Sequence, residues 1–384
     1  MLPLLLIALA MGAAAIIAYG TDPSLAHVSH GLEMMMLARR LQWPLVTLCL
    51  LLCIALLALV ISGKRRAWWL IALAPILALF FHQFAPWGNQ KLYINEFIAA
   101  DQPALRNDDW IVGVEFGDQA YALPYRSLYS MPIVFLTDYD KRAMVMWSAH
   151  ANRASAWTVS REFKPRDLEI VSTPLDTLLL FDKRLGQFII ALTGQTPSGG
   201  KPIGLEQPIP TTKTTWPIWL KSHPLSKVLA GYDFADSPAC PVLPSDAGIN
   251  VEGVVAGTPI AVVATTMPSA VEENTITHQP MNLLAGQARL LVFRDSSNQL
   301  HVFDRNAKED LFLTFVAKKN RKLKDAVMID SDTNSWWTIG GKAVEGPLRG
   351  TQLKEFPVEP DLYWGVAKRW HPQLTLASPL KAAS

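Results

Sequence analysis

The sequence predicts N-terminal transmembrane α-helices followed by a β-rich (α+β) soluble region built from two similar repeats. Three observations predict this class: long uncharged apolar runs at the start, short strand-like segments after them, and similarity between the two halves of the remainder. The domains expected are residues 1–90 for three transmembrane helices, 91–235 for the first repeat and 236–384 for the second.

The apolar runs are Leu2–Tyr19, Pro44–Ser62 and Ala67–Ala85, and none of them contains Asp, Glu, Lys or Arg. A helix of about 20 residues crosses the hydrocarbon core of a bilayer, which is roughly 30 Å thick. No Lys or Arg precedes the first run, unlike a typical signal peptide, although Ala18-Tyr19-Gly20 leaves cleavage open. The sequence therefore predicts a multi-pass anchor in contact with membrane lipid.

The charges between the runs predict the orientation of this anchor. Lys64-Arg65-Arg66 forms a very short link between the second and third runs, and short loops rich in Lys and Arg remain cytoplasmic. Everything from about Trp87 onward is then extracytoplasmic, on the periplasmic side of a cytoplasmic membrane. Arg39 and Arg40 fall on the outer side and count against this orientation.

The loop between the first two runs offers a candidate metal site. It contains His27, His30 and Met34-Met35-Met36, and His with Met can bind copper. The alternative is a short amphipathic helix that begins at Pro23 and lies at the membrane surface.

The whole chain carries 35 Lys and Arg against 33 Asp and Glu. This near balance argues against a nucleic-acid partner, because nucleic-acid binding needs a basic surface.

The part of the chain that follows the apolar runs has the sequence pattern of a β-rich protein. Short helices are predicted at Pro217–Lys221 and Tyr363–Trp370. Strands are predicted at segments rich in Val, Ile and aromatic residues, namely Trp110–Val114, Gln119–Leu123, Ala143–Trp147, Thr177–Phe181, Ile260–Val263, Leu290–Phe293 and Leu300–Phe303.

Two halves of this region are similar in sequence, which predicts an internal repeat. Their junction is expected in the stretch Asp233–Gly248. The parallels are Ile111–Gly117 with Val251–Gly257, Phe181-Asp182 with Ile329-Asp330, and Trp216–Pro224 with Trp364–Pro372.

These segments carry a resemblance to a known family. Asn107–Trp110, Gly113-Val114 and Tyr121–Pro124 are similar to the start of the domain of unknown function 3179 family, and Asp330–Trp336 with Glu345–Thr351 are similar to its C-terminal half. The resemblance covers about residues 95–380 as two diverged copies. It implies a bacterial, exported or membrane-attached protein, and it brings no established activity.

The chain departs from the family pattern at its most reactive block. The family carries Cys-Pro-Leu-Cys-Gly and a preceding His-Glu pair, and two thiolates at that spacing suit metal or redox chemistry. Here the cysteine positions fall on Arg294 and Ser297 in one copy and on Ser148 and Ala151 in the other, and Arg126–Met131 lacks the His-Glu pair. No cofactor is therefore expected.

Two hypotheses remain for the function. The first is a membrane-anchored module that binds a protein partner or an envelope polymer. The second is an extracytoplasmic enzyme whose cleft between the repeats is lined by Asp182, Asp330, His223 and His371. Each His can instead close the C-terminus of a short helix, where a cation is favoured.

Overall fold

A computed structural model describes residues 2–20, 22–63, 73, 76, 95–101, 105–230, 237–296, 298–308, 311–318, 322–323 and 325–380. The chain divides into two compact units, Met1–Val242 and Leu243–Ser384. The division lies within the Pro- and Asp-rich stretch between the two halves of the sequence.

The first unit begins with two packed helices. Helix α1 covers Leu2–Tyr19, a 3₁₀ turn covers Pro23–His27, and helix α2 covers Gly31–Ile61. Small side chains of α1, including Ala10 and Ala14, share a buried cluster with Cys49 of α2. Most of the third apolar run lies outside the described residues, but its Ile76 belongs to the same cluster.

Helix α2 differs from the sequence prediction at its start. A separate surface helix from Pro23 and a span from Pro44 were expected, whereas a single 31-residue helix begins at Gly31 and continues through Pro44. The charged pair Arg39-Arg40 interrupts the apolar run without interrupting the helix. Among the described residues, α2 is the one helix long and apolar enough to cross a membrane.

The β-rich part of the first unit contains two short helices, α3 (Tyr125–Leu128) and α4 (Trp216–Ser222). Its strands are β1 (Phe97–Ala99), β2 (Trp110–Phe116), β3 (Gln119–Pro124), β4 (Ile133–Asp138), β5 (Lys141–Ser148), β6 (Arg153–Val159), β7 (Leu168–Ser172), β8 (Leu179–Asp182), β9 (Gln187–Ile190), β10 (Leu205–Ile209), β11 (Thr211–Thr215) and β12 (Lys227–Leu229).

These strands form three sheets, with orders β1-β12-β3-β2-β11, β10-β6-β5-β4 and β7-β8-β9. Apolar side chains alternate along the strands, so Val112 and Val114 of β2 share one core with Val134 of β4 and Val145 of β5. In the first sheet, β12 pairs with β3 in parallel, while β2 pairs with β3 as an antiparallel hairpin.

The second unit has one described helix, α5 (Trp364–Trp370). Its strands are β13 (Asn250–Val251), β14 (Val254–Val255), β15 (Pro259–Val263), β16 (Ser269–Glu272), β17 (Met281–Ala285), β18 (Ala288–Arg294), β19 (Leu300–Asp304), β20 (Asn306–Lys308), β21 (Leu311–Phe312), β22 (Phe315–Ala317), β23 (Ala326–Asp330), β24 (Trp336–Thr338), β25 (Ala343–Glu345), β26 (Val358–Tyr363), β27 (Thr375–Leu376) and β28 (Ser378–Pro379).

The second unit is also built from small sheets. The four-stranded ones have orders β26-β15-β16-β27, β19-β18-β17-β28 and β22-β23-β24-β25. A buried cluster that includes Phe303, Phe315 and Trp337 fills the space beside the last of these. The β-rich prediction is therefore confirmed, and each of the seven predicted strand segments overlaps an observed strand.

Candidate functional site

The clearest organised feature of the first unit is the contact between its helices and its β-rich part. The guanidinium of Arg39 on α2 forms an ion pair with the carboxylate of Glu169 on β7, and Lys183 lies 3.1 Å from the same carboxylate. The Arg40 guanidinium lies over the Phe188 ring at 5.4 Å from its centre. Both arginines that count against the predicted orientation thus contact the β-rich part.

A groove of about 370 Å³ lies beside this contact. One wall is Val28, just after the 3₁₀ turn, with Leu32 and Met36 from the start of α2, and the other includes Pro197 and Ser198 from the loop after β9. The 3₁₀ turn Pro23–His27 also contacts the turn Pro174–Asp176 of the β-rich part. The loop between α1 and α2 is therefore a docking element and does more than connect two helices.

The two candidate metal ligands in this loop lie in different settings. His27 ends the 3₁₀ turn and is exposed. His30 precedes α2 with a left-handed backbone (φ 60°), and its Nδ1 lies 3.1 Å from Glu33 Oε2. Within the described part of the chain, no three His, Cys, Asp or Glu side chains are arranged to hold a metal ion.

Asp182 and Asp330, the candidate catalytic carboxylates, each organise a turn. Asp182 is buried at the end of β8, where Oδ1 accepts hydrogen bonds from the backbone N–H groups of Arg184 and Leu185 at 2.9 and 3.0 Å. Asp330 is fully buried at the end of β23. Its carboxylate accepts from Thr333, from the Ser335 backbone at 3.2 Å and from Trp337 Nε1 at 2.8 Å.

The candidate histidines both close a helix. The backbone N–H of His223 donates to Trp219 at the end of α4, and that of His371 donates to Ala367 at the end of α5. The His223 ring stacks on Trp219 with centroids 3.9 Å apart, and its Nε2 lies 3.3 Å from the exposed Glu115 carboxylate. The proximity of these histidines to Asp182 and Asp330 in one cleft stays a prediction.

Three of the four positions predicted from the sequence to match the family's cysteines lie within the described residues, and all three hold packed residues. Ser148 is buried, and its hydroxyl lies 2.9 Å from that of Thr177, which in turn accepts from the Leu192 backbone. Ala151 is fully buried. Arg294 forms a partly buried ion pair with Glu273. Ser297 lies outside the described residues.

The Glu273–Arg294 pair is a feature that sequence reasoning missed. Glu273 is 8% exposed and also accepts a hydrogen bond from the Asp361 backbone, while Arg294 donates to the Asn298 carbonyl at 3.1 Å. Burial, together with the nearby Asp361 charge, raises the pKa of Glu273. The sequence offered one hint of this pair: Arg294 stands at a position predicted to match a family cysteine, and Glu273 lies in a segment with few other charges.

A second missed feature is His301 on β19, which lies between two carboxylates. Its Nε2 is 3.4 Å from Asp295 and its Nδ1 is 3.1 Å from Glu355. The ring packs beside Phe293 and Phe303, with centroids 5.5 and 6.1 Å away, and these two phenyl rings are themselves 6.1 Å apart. This geometry holds the imidazole in one orientation and ties the β18–β19 turn to the strand region before β26.

The raised pKa of Glu273 leads to a prediction for the pH dependence of stability. Because the folded state holds this proton more tightly than the unfolded state, its contribution to stability is fully present below the unfolded pKa and is lost as pH rises through the folded pKa. Relative to Glu273→Gln, the wild type should lose up to about 1.4 kcal/mol per pH unit as pH rises from roughly 4.5. Urea unfolding of both proteins from pH 4 to 7 measures this difference, and parallel curves would contradict the pKa direction.

These features define a β-rich protein that carries an N-terminal helix apolar enough to span a membrane. The chain belongs to the family described as "Protein of unknown function (DUF3179)", whose model matches residues 93–374. The resemblance inferred from the sequence is therefore confirmed. No curated protein and no solved structure matches the chain.

Proposed function

We propose that this protein is a three-helix membrane anchor that presents two copies of a β-rich unit on the extracytoplasmic side of a bacterial membrane. In this proposal the β-rich region is a binding module for a protein partner or an envelope polymer. The observation that carries the proposal is the contact between the start of α2 and the first β-rich part.

That contact determines which end of α2 the β-rich part accompanies. A helix of 31 residues is about 46 Å long, which exceeds the roughly 30 Å hydrocarbon core. Arg39 lies near the beginning of α2, so the β-rich part lies on the side of the α1–α2 loop. The chain leaves α2 at Ile61, at the far end, and must return before β1 begins at Phe97.

The third apolar run supplies this return. Residues 67–85 are uncharged and long enough to cross, and Ile76 within them packs against α1 and α2. Lys64-Arg65-Arg66 then lies on the cytoplasmic side and the β-rich part on the opposite side. Arg39 and Arg40 no longer count against this orientation, because Glu169 and the Phe188 ring engage them.

Reporter fusions test this arrangement. An alkaline phosphatase fused after Ser384 should be active, and one fused at Gly63 should be inactive, since the disulfides that this reporter needs form only outside the cytoplasm. A fluorescent reporter that folds in the cytoplasm should give the reverse pattern. Fluorescence from the C-terminal fusion with an inactive phosphatase at the same place would overturn the proposal.

The duplication is supported by strand pairing. Strand β2 forms a hairpin with β3, and β15 forms one with β16. An antiparallel strand next to each hairpin, β11 or β26, leads directly into a short helix, α4 or α5. The strand that follows the helix, β12 or β27, then pairs in parallel with the second strand of the hairpin.

Local details agree with this correspondence. His223 has φ −132° and ψ 67°, and His371 has φ −129° and ψ 76°, so the two helices end in the same conformation. Thr215 pairs with Trp110, and Tyr363 pairs with Pro259. The counterpart of Ile111–Gly117 therefore begins near Ile260, and the sequence parallel with Val251–Gly257 is wrong by about nine residues. That segment forms the β13–β14 hairpin instead.

A binding role is supported by what the candidate catalytic groups do. Asp182 and Asp330 accept hydrogen bonds from groups in or beside their own turns, as do carboxylates with a structural role. Ser148 and Arg294, at the former cysteine positions, are held by Thr177 and Glu273. The enzyme hypothesis needs these same groups for chemistry, so we favour the binding module.

The docking of the helices predicts the effect of a charge reversal. In a chain whose native cysteines are replaced by serine, His30→Cys and Ser198→Cys, both at the groove, should be joined by a flexible bis-maleimide cross-linker. Arg39→Glu should slow this cross-link about tenfold, because it places two partly buried carboxylates together.

The reciprocal change provides the control for this prediction. Adding Glu169→Arg to Arg39→Glu should restore much of the cross-linking rate, whereas Glu206→Arg, at an exposed position of the same unit, should not. Equal rates in all four proteins would contradict a helix–sheet contact at Arg39.

A further inference from the structure

Helices α4 and α5 occupy equivalent places in the proposed duplication, yet their outer faces differ in exposure. Val366 on α5 is fully buried, whereas Ile218, at the matching position of α4, is 61% exposed. Leu225, just after α4, is 87% exposed, and Pro217 and Pro224 are exposed beside it. The outer face of α4 is therefore an apolar patch.

The cover on α5 comes from the chain itself. The segment that contains β13 and β14 lies across the helix, so the Gly365 N–H donates to the Ala256 carbonyl at 2.9 Å and Trp364 Nε1 donates to the Val251 carbonyl at 2.8 Å. A Cβ added at Gly365 would lie 2.5 Å from that of Ala256, which shows how closely the segment approaches.

Charge also holds this cover in place. Arg369 on α5 forms an ion pair with Asp246, and Lys368 lies 2.9 Å from Glu252. The covering segment is thus a short hairpin with flanking turns that carries two acidic side chains, and the helix it covers is basic. At the position of Arg369, helix α4 carries Lys221, which is exposed.

The inner face of α4 is already satisfied. Trp216 and Trp219 are buried in a cluster with Ile111, Ala122 and Val228. The exposed apolar side chains are therefore not needed for the core of the first unit. An exposed apolar patch rimmed by a charge is typical of a surface that binds another molecule.

We propose that the outer face of α4, formed by Pro217, Ile218, Lys221, Pro224 and Leu225, binds an acidic hairpin of a partner protein, in the way that residues 246–257 lie on α5. The proposal rests on the proposed duplication and deepens the proposed binding function. Pro217 replaces Gly365 and has no N–H to donate, so side-chain packing on Ile218 and a carboxylate on Lys221 carry the contact.

Photo-crosslinking in native membranes tests this proposal. Benzoylphenylalanine is placed at Ile218 of the full-length chain, and in a separate protein at Ile203, which is 60% exposed in the same unit and lies outside the patch. The expected result is an adduct at Ile218 whose cross-linked peptide, identified by mass spectrometry, contains Asp or Glu near the attachment point and comes from another protein. Lys221→Glu should lower its yield about fivefold or more.

Each other outcome overturns the proposal. A cross-link to a second copy of this chain would identify a self-association surface, and a cross-link to lipid would identify a membrane contact. An adduct no stronger than that at Ile203, a peptide without acidic residues, or insensitivity to Lys221→Glu would also contradict it. The reporter fusions are measured separately, so an extracytoplasmic reporter with a failed cross-link removes this docking site and leaves the proposed location intact.

Discussion

Replacing Asp330 by alanine is expected to lower the free energy of unfolding of the second unit by about 3–5 kcal/mol. The carboxylate is fully buried and accepts hydrogen bonds from the backbone of Thr333 and Ser335 and from the indole of Trp337. Removal of the acceptor leaves these donors buried without partners, which costs more than the loss of a single hydrogen bond.

The same turn belongs to the stretch that resembles the family's C-terminal half, Asp330–Trp336 with Glu345–Thr351, so the effect should spread along it. Ser335 Oγ accepts from the Leu348 backbone at 3.1 Å, and Gly346 has φ 97° with no room for a Cβ, which would lie 2.7 Å from Ser335 Cα. The pattern of this stretch is therefore explained by folding. Its acidic residue and hydroxyls form a hydrogen-bonded turn around the buried Asp330, and its glycine lets the next turn pack against Ser335.

Pulse proteolysis of the detergent-solubilised full-length protein across a urea series measures this loss. Asp325→Ala provides the matched control, because Asp325 is an exposed aspartate at the other end of the same strand region. Asp330→Asn should lose less than Asp330→Ala, since it retains one acceptor oxygen. If Asp330→Ala unfolds at the same urea concentration as Asp325→Ala, the structural role of this carboxylate is wrong.

Gly113→Val is expected to destabilise the first unit by about 3 kcal/mol or more. Gly113 is in the middle of β2, directly beneath Trp219, and a Cβ there would lie 2.3–2.5 Å from atoms of the indole ring. Trp219 is 4% exposed and its Nε1 donates to Ser226 Oγ at 2.9 Å, so displacing it breaks both packing and a hydrogen bond.

The sign of this effect distinguishes packing from strand propensity. Valine favours strands over glycine, so propensity alone predicts a gain in stability. The double variant Gly113→Val with Trp219→Leu should be more stable than the sum of the two single losses implies, because the smaller side chain makes room. Gly340→Val, where a Cβ meets nothing within 4 Å, should be nearly neutral in the same proteolysis assay.

Much of the architecture could be predicted because it depends on local pattern. The seven predicted strands are uniformly apolar or alternate between apolar and polar residues. Both predicted short helices agree with the observed ones to within one residue at each end. Two of the strands that were missed carry a weaker signal. Strand β11 is composed of Thr and Lys at the edge of its sheet, and β26 contains Pro360 beside a register shift in its pairing with β15.

The start of α2 could not be predicted from hydropathy because Arg39 and Arg40 end the apolar run while the helix continues. Those charges are tolerated there because of Glu169 and Phe188, which lie more than a hundred residues further along the chain. The parallel pairing of β12 with β3 and of β27 with β16 is likewise a long-range contact that no local pattern specifies.

The candidate sites show the same limit. Asp182, Asp330, His223 and His371 could be selected from their place in the repeat, but their hydrogen bonds depend on turns that the sequence alone does not describe. Glu273 and His301 were not selected because neither belongs to a recognisable sequence motif. Their importance follows from Arg294, Asp295 and Glu355, which the fold brings to them.

The most direct test of the central proposal, a β-rich module held outside the membrane, uses the chain's own cysteine. Cys240 is exposed in the β-rich part of the first unit, whereas Cys49 and Cys53 lie in α2. In intact spheroplasts, a membrane-impermeant maleimide should label the wild type and should not label Cys240→Ser. Placed in that background, Gly63→Cys should react only after the membrane is broken. Labelling of Gly63→Cys in intact spheroplasts, with Cys240 of the wild type protected until lysis, would contradict the proposal.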